Sequence, residues 1–285
     1  PCILALTACL AASSPVLAAG AQEASAQSST AETDNRAAND GHRLIVFGEL
    51  FANYEFSERD EATFNEFRLD RAEFGLGWRC PSEAGFFVRM ETIRSAGPDS
   101  LFGIGGNSVI PRLKEAYGFH EPQIWKGTLT TRLGLIPDIW VDTLLQRYGL
   151  RVASPLASER NGFFNRSEYG GSIGYSLMDG LVSLTASLTN GEGRNRVERN
   201  KGKNTTLVLS TNPVDLTLFG DEAELAAHGS YREGSVGVDS TRNHRAAGAL
   251  TFDHPRLSAG AEFVRAYGLP ERPNLNALTL GGWLR

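Results

Sequence analysis

Arginine is the residue type whose placement in this sequence points most directly to chemistry. Six arginines are candidate groups for binding anions: Arg68, Arg71, Arg89, Arg132, Arg147 and Arg151. The first four lie on the polar side of segments in which polar and apolar residues alternate, and the last two lie in a long connection. The fixed charge and forked donors of arginine suit transient coordination of phosphate or carboxylate groups. The alternative is that these arginines pair with Asp70, Glu73 and Glu91 and stiffen the protein.

Other residue types show no comparable pattern. The five histidines are scattered, and no group of His, Cys, Asp and Glu has the spacing of a metal site. The serines and histidines are not spaced as a catalytic set. The sequence therefore predicts neither an enzyme nor a cofactor. A formal net charge of −5 also indicates no charged partner such as a nucleic acid.

The N-terminal 42 residues differ in composition from the rest of the chain. Residues 1–19 are apolar and uncharged and end in small residues, which predicts a secretory signal peptide without its basic start. The segment Leu6–Cys9 leaves open a lipoprotein signal. Residues 20–42 are rich in Ala, Ser, Gln and Glu and predict a disordered leader. After removal of the signal, Cys80 would be the one remaining cysteine, so no internal disulfide is expected.

Alternation with a period of two runs from Arg43 to the end of the sequence, and it predicts about twelve β-strands. In 181–189, for example, apolar residues at positions 182, 184, 186 and 188 alternate with serine and threonine. The phase changes within 66–79, which predicts a β-bulge near Arg71. The predicted strands are 44–56, 66–79, 86–92, 113–120, 128–135, 168–177, 181–189, 204–211, 224–232, 245–253, 256–266 and 276–285.

The lengths of the connections distinguish between two classes of β-protein. A soluble β-sandwich also shows alternation, but the Ala, Gly and Thr on the apolar faces here are too small for its core. After residue 20 no apolar run approaches the roughly 18 residues of a membrane helix. Long and short connections alternate along the chain, as they do in outer-membrane barrels. The long ones are 57–65, 95–112, 136–167, 190–203, 233–244 and 267–275; the short ones are 80–85, 121–127, 178–180 and 253–255; and 212–223 is intermediate. The pattern predicts an all-β, antiparallel transmembrane β-barrel over 43–285.

The order of several short motifs resembles that of the bacterial phosphate-selective porin O and P family. The matching motifs are Phe67-Arg-Leu-Asp-Arg-Ala-Glu-Phe-Gly-Leu76, Lys114-Glu-Ala-Tyr117, Thr131-Arg-Leu-Gly-Leu-Ile-Pro137, Tyr169-Gly-Gly-Ser-Ile-Gly174, Leu188-Thr-Asn-Gly-Glu-Gly193, Gly260-Ala-Glu-Phe-Val264 and Gly281-Gly-Trp-Leu284. The resemblance covers roughly 43–285. It implies a bacterial outer-membrane porin of about sixteen strands, so that about four strands would be missing after Arg285, and possibly a homotrimer.

The resemblance also implies that the third extracellular loop, here 136–167, folds inward as a constriction. In phosphate-selective members a lysine cluster makes that constriction anion-specific, whereas 136–167 contains no lysine. We therefore expect passive diffusion of small hydrophilic solutes or ions with a weak anion preference. The six arginines would be pore-lining residues. The expected partners are outer-membrane lipid and lipopolysaccharide, whose phosphates could meet the basic run 194–203.

Two other functions remain open at this point. One is a structural or adhesive outer-membrane β-barrel with an occluded lumen, which conductance in planar bilayers would separate from a pore. The other is a secreted soluble β-protein, which would show neither detergent dependence nor migration that changes with heating.

Overall fold

The computed structural model describes most of the chain from residue 41 onward. The described residues are 33–35, 41–59, 62–95, 108–147, 156–178, 181–194, 198, 201–211, 214–218, 220–238, 241–269 and 272–284. They fall into two compact units, which are treated separately below. Unit 1 comprises 1–79 and 87–114, and unit 2 comprises 80–86 and 115–285.

Strands dominate the described residues. The strands are β1 (Thr33–Asn35), β2 (Arg43–Arg59), β3 (Ala62–Arg79), β4 (Ala84–Ser95), β5 (Ser108–His120), β6 (Gln123–Ile124), β7 (Gly127–Pro137), β8 (Ser167–Leu177), β9 (Val182–Thr189), β10 (Asn204–Thr211), β11 (Val214–Leu218), β12 (Asp221–Glu233), β13 (Ser235–Val236), β14 (Thr241–Arg242), β15 (His244–His254), β16 (Leu257–Leu269) and β17 (Arg272–Leu284). Two short helices, α1 (Ile139–Leu145) and α2 (Ala157–Arg160), lie between β7 and β8. Each of the twelve predicted strands corresponds to one long strand. No helix in the described ranges is long and apolar enough to cross a membrane.

In unit 1 the strands pair in the order β1–β2–β3–β4–β5, with β5 entering from its N-terminal half. Strands β2 and β3 form a long antiparallel pair whose register shifts after Phe51, which lies opposite Arg71. Ala52 lies opposite Leu69, so Asp70 is the extra residue of a β-bulge. The predicted bulge is therefore confirmed. Strand β1 lies inside the leader for which no regular structure was expected, and it pairs with β2.

In unit 2 the end of β5 is followed in space by β7, β8, β9, β10, β12, β15, β16 and β17, all antiparallel to their neighbours. Sequential antiparallel pairing places alternate connections at opposite ends of the strands. Accordingly Met178 N donates to Lys126 O at one end of the strands, and Asn190 N donates to Tyr169 O at the other end. The predicted separation of 136–167 and 190–203 from 121–127 and 178–180 is confirmed.

The structure corrects three predicted connections. Strands β2 and β3 continue to within two residues of each other, so 57–65 is a long hairpin arm and not a loop. The same holds for 267–275, where β16 ends at Leu269 and β17 begins at Arg272. The segment 212–223 contains β11, which pairs with the start of β12. In each case strand pairing extends past the point where the alternation of polarity fades. Within the described residues β17 has β16 as its one neighbour, so the pairing is that of an open antiparallel sheet.

Candidate functional site

The two faces of the unit 2 sheet carry opposite kinds of side chain. Along β10, Asn204, Thr206 and Ser210 are buried, whereas Leu207 and Leu209 are exposed. The exposed large apolar side chains of the long unit 2 strands are Leu133, Tyr169, Ile173, Leu177, Leu184, Leu188, Leu207, Leu209, Leu225, Tyr231, Leu250, Leu257, Phe263 and Leu278. A soluble protein buries such residues and exposes the polar ones. We call the polar, buried face of a sheet its inner face and the apolar, exposed face its outer face.

The inner face of unit 1 is built around the carboxylate of Glu73. This side chain is fully buried and accepts a hydrogen bond from Lys114 Nζ, whose side chain is also buried. Arg71 Nη1 lies 3.6 Å and Arg89 Nη1 lies 3.9 Å from the two Glu73 oxygens. Glu49 lies directly opposite Glu73 across the β2–β3 pair and is buried as well. Three cations therefore contact Glu73, which offsets the repulsion expected between two carboxylates at directly opposite positions.

Aromatic rings of unit 1 lie beside the same cations. The guanidinium of Arg89 lies 4.6 Å from the centroid of the Phe47 ring, and that of Arg71 lies 5.4 Å from the Phe51 ring. Such stacking fixes the direction of each arginine and adds a cation–π attraction. Two of the predicted pore-lining arginines are therefore held against the inner face and are not extended from it. Arg71 and Arg89 both contact Glu73, as expected if these arginines stiffen the protein through ion pairs.

The segment between β7 and β8 folds over the inner face of unit 2. Asp138 begins α1, and its Oδ1 accepts hydrogen bonds from the backbone N–H groups of Trp140 and Val141, 3.0 and 3.3 Å away. Apolar side chains of this segment pack against small and branched residues of the sheet. The cluster consists of Ile139, Trp140, Val141, Leu144, Leu156, Phe163, Phe164, Val208, Ala249, Val264 and Ala266. The described parts of 136–167 thus lie against the inner face of the sheet, and the constriction of a pore stays a prediction.

Polar contacts fix this segment to the strands. Trp140 is completely buried, and its Nε1–H donates to Glu262 Oε1 at 2.8 Å. Asp138 accepts a hydrogen bond from Arg232, whose Nη1 also lies 3.7 Å from Glu168 Oε1. Burial raises the pKa of the Asp138 carboxyl, and the charge of Arg232 opposes that rise. The ion pair therefore keeps a charged group stable in a buried position.

Two further predicted arginines meet at a polar cavity of about 190 Å³ beside α1. Arg132 Nη1 lies 3.0 Å from Asp142 Oδ2, and Arg147 Nη1 lies 2.6 Å from Glu224 Oε2. Each arginine thus has a carboxylate partner. The remaining wall is mostly hydroxyl-bearing and includes Thr130, Thr143, Ser172, Ser176, Ser183, Thr185, Ser210 and Thr211. The cavity is balanced in charge and rich in hydrogen-bonding groups.

The predicted set is thus divided by the structure. Arg71 and Arg89 lie together in unit 1, and Arg132 and Arg147 lie together in unit 2. The side chain of Arg68 and the whole of Arg151 lie outside the described residues. Sequence reasoning missed Arg232, although its polar position on an alternating strand was a usable signal. Its carboxylate partners Asp138 and Glu168 are separated from it by more than sixty positions in the sequence, which no local pattern reveals.

Within the described ranges, no three His, Cys, Asp or Glu side chains are grouped so that they could hold a metal ion. No protein-family model matches this chain, and no curated protein matches it with significant similarity.

Proposed function

We propose that the chain is a bacterial outer-membrane β-barrel that works as a passive pore for small hydrophilic solutes and ions. One observation carries the proposal: the long strands of unit 2 expose leucine, isoleucine and aromatic side chains and bury serine, threonine and charged ones. This inverted arrangement is stable where the outer face meets lipid and the inner face meets water. In water, so many exposed leucines would make the folded state less stable, because their apolar surface would stay in contact with solvent.

Antiparallel pairing supports the same proposal. A membrane-spanning sheet must satisfy its backbone hydrogen bonds, which it does by closing on itself. The twelve long strands described here form an open sheet. In the proposed barrel the two outer edges of this sheet would be paired as well. In unit 2 the long connections 136–167 and 190–203 lie at the opposite strand ends from the short connections 121–127 and 178–180, which suits a barrel whose long connections face outward from the cell.

The charges of the inner face of unit 1 favour a weak preference for anions. Among the described side chains of this face, four cations, Arg71, Arg89, Arg112 and Lys114, stand against the three carboxylates of Glu49, Glu73 and Glu91. The excess among these residues is a single positive charge, and each of the four cations is in an ion pair. Tight selection of phosphate would need cations that are free to bind it. Passage of small ions and neutral solutes with a slight anion bias is therefore the better proposal.

Conductance of the full-length protein in a planar bilayer tests the pore. We expect stepwise conductance and a reversal potential in a salt gradient that favours anions slightly. In the variant Arg71→Gln with Arg89→Gln, two cations would face three carboxylates, so we expect the preference to move toward cations. The control is Arg256→Gln, an exposed arginine in the short turn between β15 and β16. Unchanged selectivity in the double variant would contradict the role of these arginines.

A barrel with an occluded lumen is the second candidate, because the segment 138–166 packs a dense apolar cluster onto the inner face of unit 2. Such packing could fill the interior instead of narrowing it. A folded, membrane-inserted protein that gives no conductance would favour this function over the pore.

A further inference from the structure

A second cavity in unit 2 has a different chemistry from the hydroxyl-rich one. Its volume is about 330 Å³, and it lies where the segment before β8, the segment after β9 and the start of β15 meet. Its charged lining residues are Arg166, Arg194, Arg232, Arg245 and Glu192. The remaining wall consists of Phe163, Val236, three glycines and the polar residues Asn165, Ser167 and Asn243. The proposed pore function does not use this cavity.

Arg245 is the unusual member of this wall. It is only 2% exposed, and its Nε and Nη1 donate to the backbone oxygens of Phe163 and His244 at 3.1 and 2.8 Å. Among the described residues no carboxylate contacts it, and its Nη2 has no hydrogen-bond acceptor. Arg232, by contrast, is paired with Asp138 and Glu168. A buried guanidinium with neutral partners alone is costly, because dipoles compensate a charge less well than an opposite charge does.

Ser167 gives a second, independent observation at the same cavity. Its side chain is completely buried, and its Oγ has no hydrogen-bond partner in the described structure. Buried hydroxyl groups are normally satisfied, so an orphaned one in a cavity wall indicates a missing partner. The hydroxyl of Ser167 and the guanidinium of Arg245 are both donors. The partner that would satisfy both is an acceptor with negative charge.

The other charges of the wall set the size of that negative charge. Arg166 lies 3.6 Å from Glu159, and Arg232 is neutralised by Asp138 and Glu168. Arg194 also has an interaction partner. No carboxylate of the described residues contacts Arg245. Glu192 places a carboxylate in the same wall, where its Oε1 accepts a hydrogen bond from Gly237 N at 2.6 Å. A doubly charged anion would be repelled by Glu192, whereas a single charge would be matched by Arg245.

We propose that this cavity binds the carboxylate of a small, singly charged solute through Arg245 and Ser167. The planar fork of arginine matches the two oxygens of a carboxylate, and the serine hydroxyl supplies a further donor. Binding at this site does not require that the protein conducts. If the pore function holds as well, the cavity lies on the side of the long connections, where solutes would enter from outside the cell.

Ligand-observed NMR titration of the full-length protein in detergent micelles, with acetate and with inorganic phosphate as probes, tests the proposal. We expect acetate to bind more tightly than phosphate. Arg245→Gln should weaken acetate binding about tenfold or more, because a charged hydrogen bond is lost. Ser167→Ala should weaken acetate binding severalfold. Arg256→Gln, at the opposite end of the strands, should leave acetate binding unchanged.

Three results would overturn the site: no acetate binding by the wild type, tighter binding of phosphate than of acetate, or unchanged binding in a folded Arg245→Gln variant. Migration that changes with heating reports whether each variant is folded. If Arg245→Gln does not fold, Ser167→Ala decides, and unchanged acetate binding there also overturns the proposal. Loss of conductance with acetate binding intact would contradict the pore alone, and loss of acetate binding with conductance intact would contradict the site alone.

Discussion

An arginine placed on the outer face of β9 should destabilise the protein strongly, whereas one placed at the next position should not. Leu184 is 47% exposed on the outer face, and Thr185 lines the polar cavity on the inner face. The two positions are adjacent in one strand, so backbone effects are nearly the same. The comparison of Leu184→Arg with Thr185→Arg therefore isolates the medium that each face meets.

The expected size of the difference follows from burial. Arginine at the midplane of a bilayer on the lipid face of a barrel costs about 2–4 kcal/mol. The lost leucine contributes roughly 1 kcal/mol to this cost, since about half of its side chain faces outward and full burial stabilises by about 1.5–3 kcal/mol. If the outer face met water instead, an exposed leucine could be replaced within about 0.5 kcal/mol. The two media thus predict values that differ severalfold.

Equilibrium unfolding in urea of the full-length protein inserted in phospholipid vesicles gives the free energy of unfolding of each variant. We expect a loss of about 2–4 kcal/mol for Leu184→Arg and a clearly smaller loss for Thr185→Arg. Leu188→Arg, at a position that is 57% exposed on the same face, should repeat the first result. Similar losses at the inner and outer positions, or no loss at Leu184, would refute the assignment of the faces.

Two further predictions address the buried ion pairs and the direction of insertion. Arg232→Met should lower the free energy of unfolding by about 3–5 kcal/mol, because Asp138 and Glu168 would remain as buried carboxylates without their cation. Adding Asp138→Asn to this variant should recover part of the loss. A loss below about 1 kcal/mol in Arg232→Met alone would contradict a stabilising ion pair. Cys80 lies in the turn between β3 and β4, where a hydrogen bond with the Ser82 hydroxyl lowers the pKa of its thiol. If the short turns face the inside of the cell envelope, a membrane-impermeant maleimide should label Cys80 only in permeabilised cells. Labelling in intact cells would place the short turns outside.

The strands of this fold could be predicted from the sequence because the faces of a strand alternate residue by residue. All twelve long strands and the bulge beside Arg71 follow from that local rule. The ends of the strands did not follow from it. In the β2–β3 pair, strands continue through 57–65, where the sequence loses its alternation. Backbone pairing continues there, and backbone hydrogen bonds leave no mark on side-chain polarity.

The candidate site could be predicted only in part. Polar position on a strand identified Arg71, Arg89 and Arg132 as residues of the inner face, and the structure places them there. Whether an arginine is paired depends on residues far away in the sequence, such as Glu224 for Arg147. Arg245, which no carboxylate of the described residues contacts, was not singled out for the same reason. The alternation of polarity along a strand shows which face an arginine lies on, but its ion-pair partner depends on the tertiary fold.

The inner face itself determines where the segment 138–166 can pack. Most of its positions on β8, β9 and β10 carry polar side chains, whereas β15 and β16 place Ala247, Ala249 and Ala266 on the same face. Alanine removes both bulk and polarity, so the large rings of Trp140 and Phe164 can lie against these strands without stranding a polar group. The cavity beside α1 remains on the side of the polar strands. The side chains of the segment thus reach small and branched positions on β10, β15 and β16, while the helix α1 itself lies beside β9 and β10.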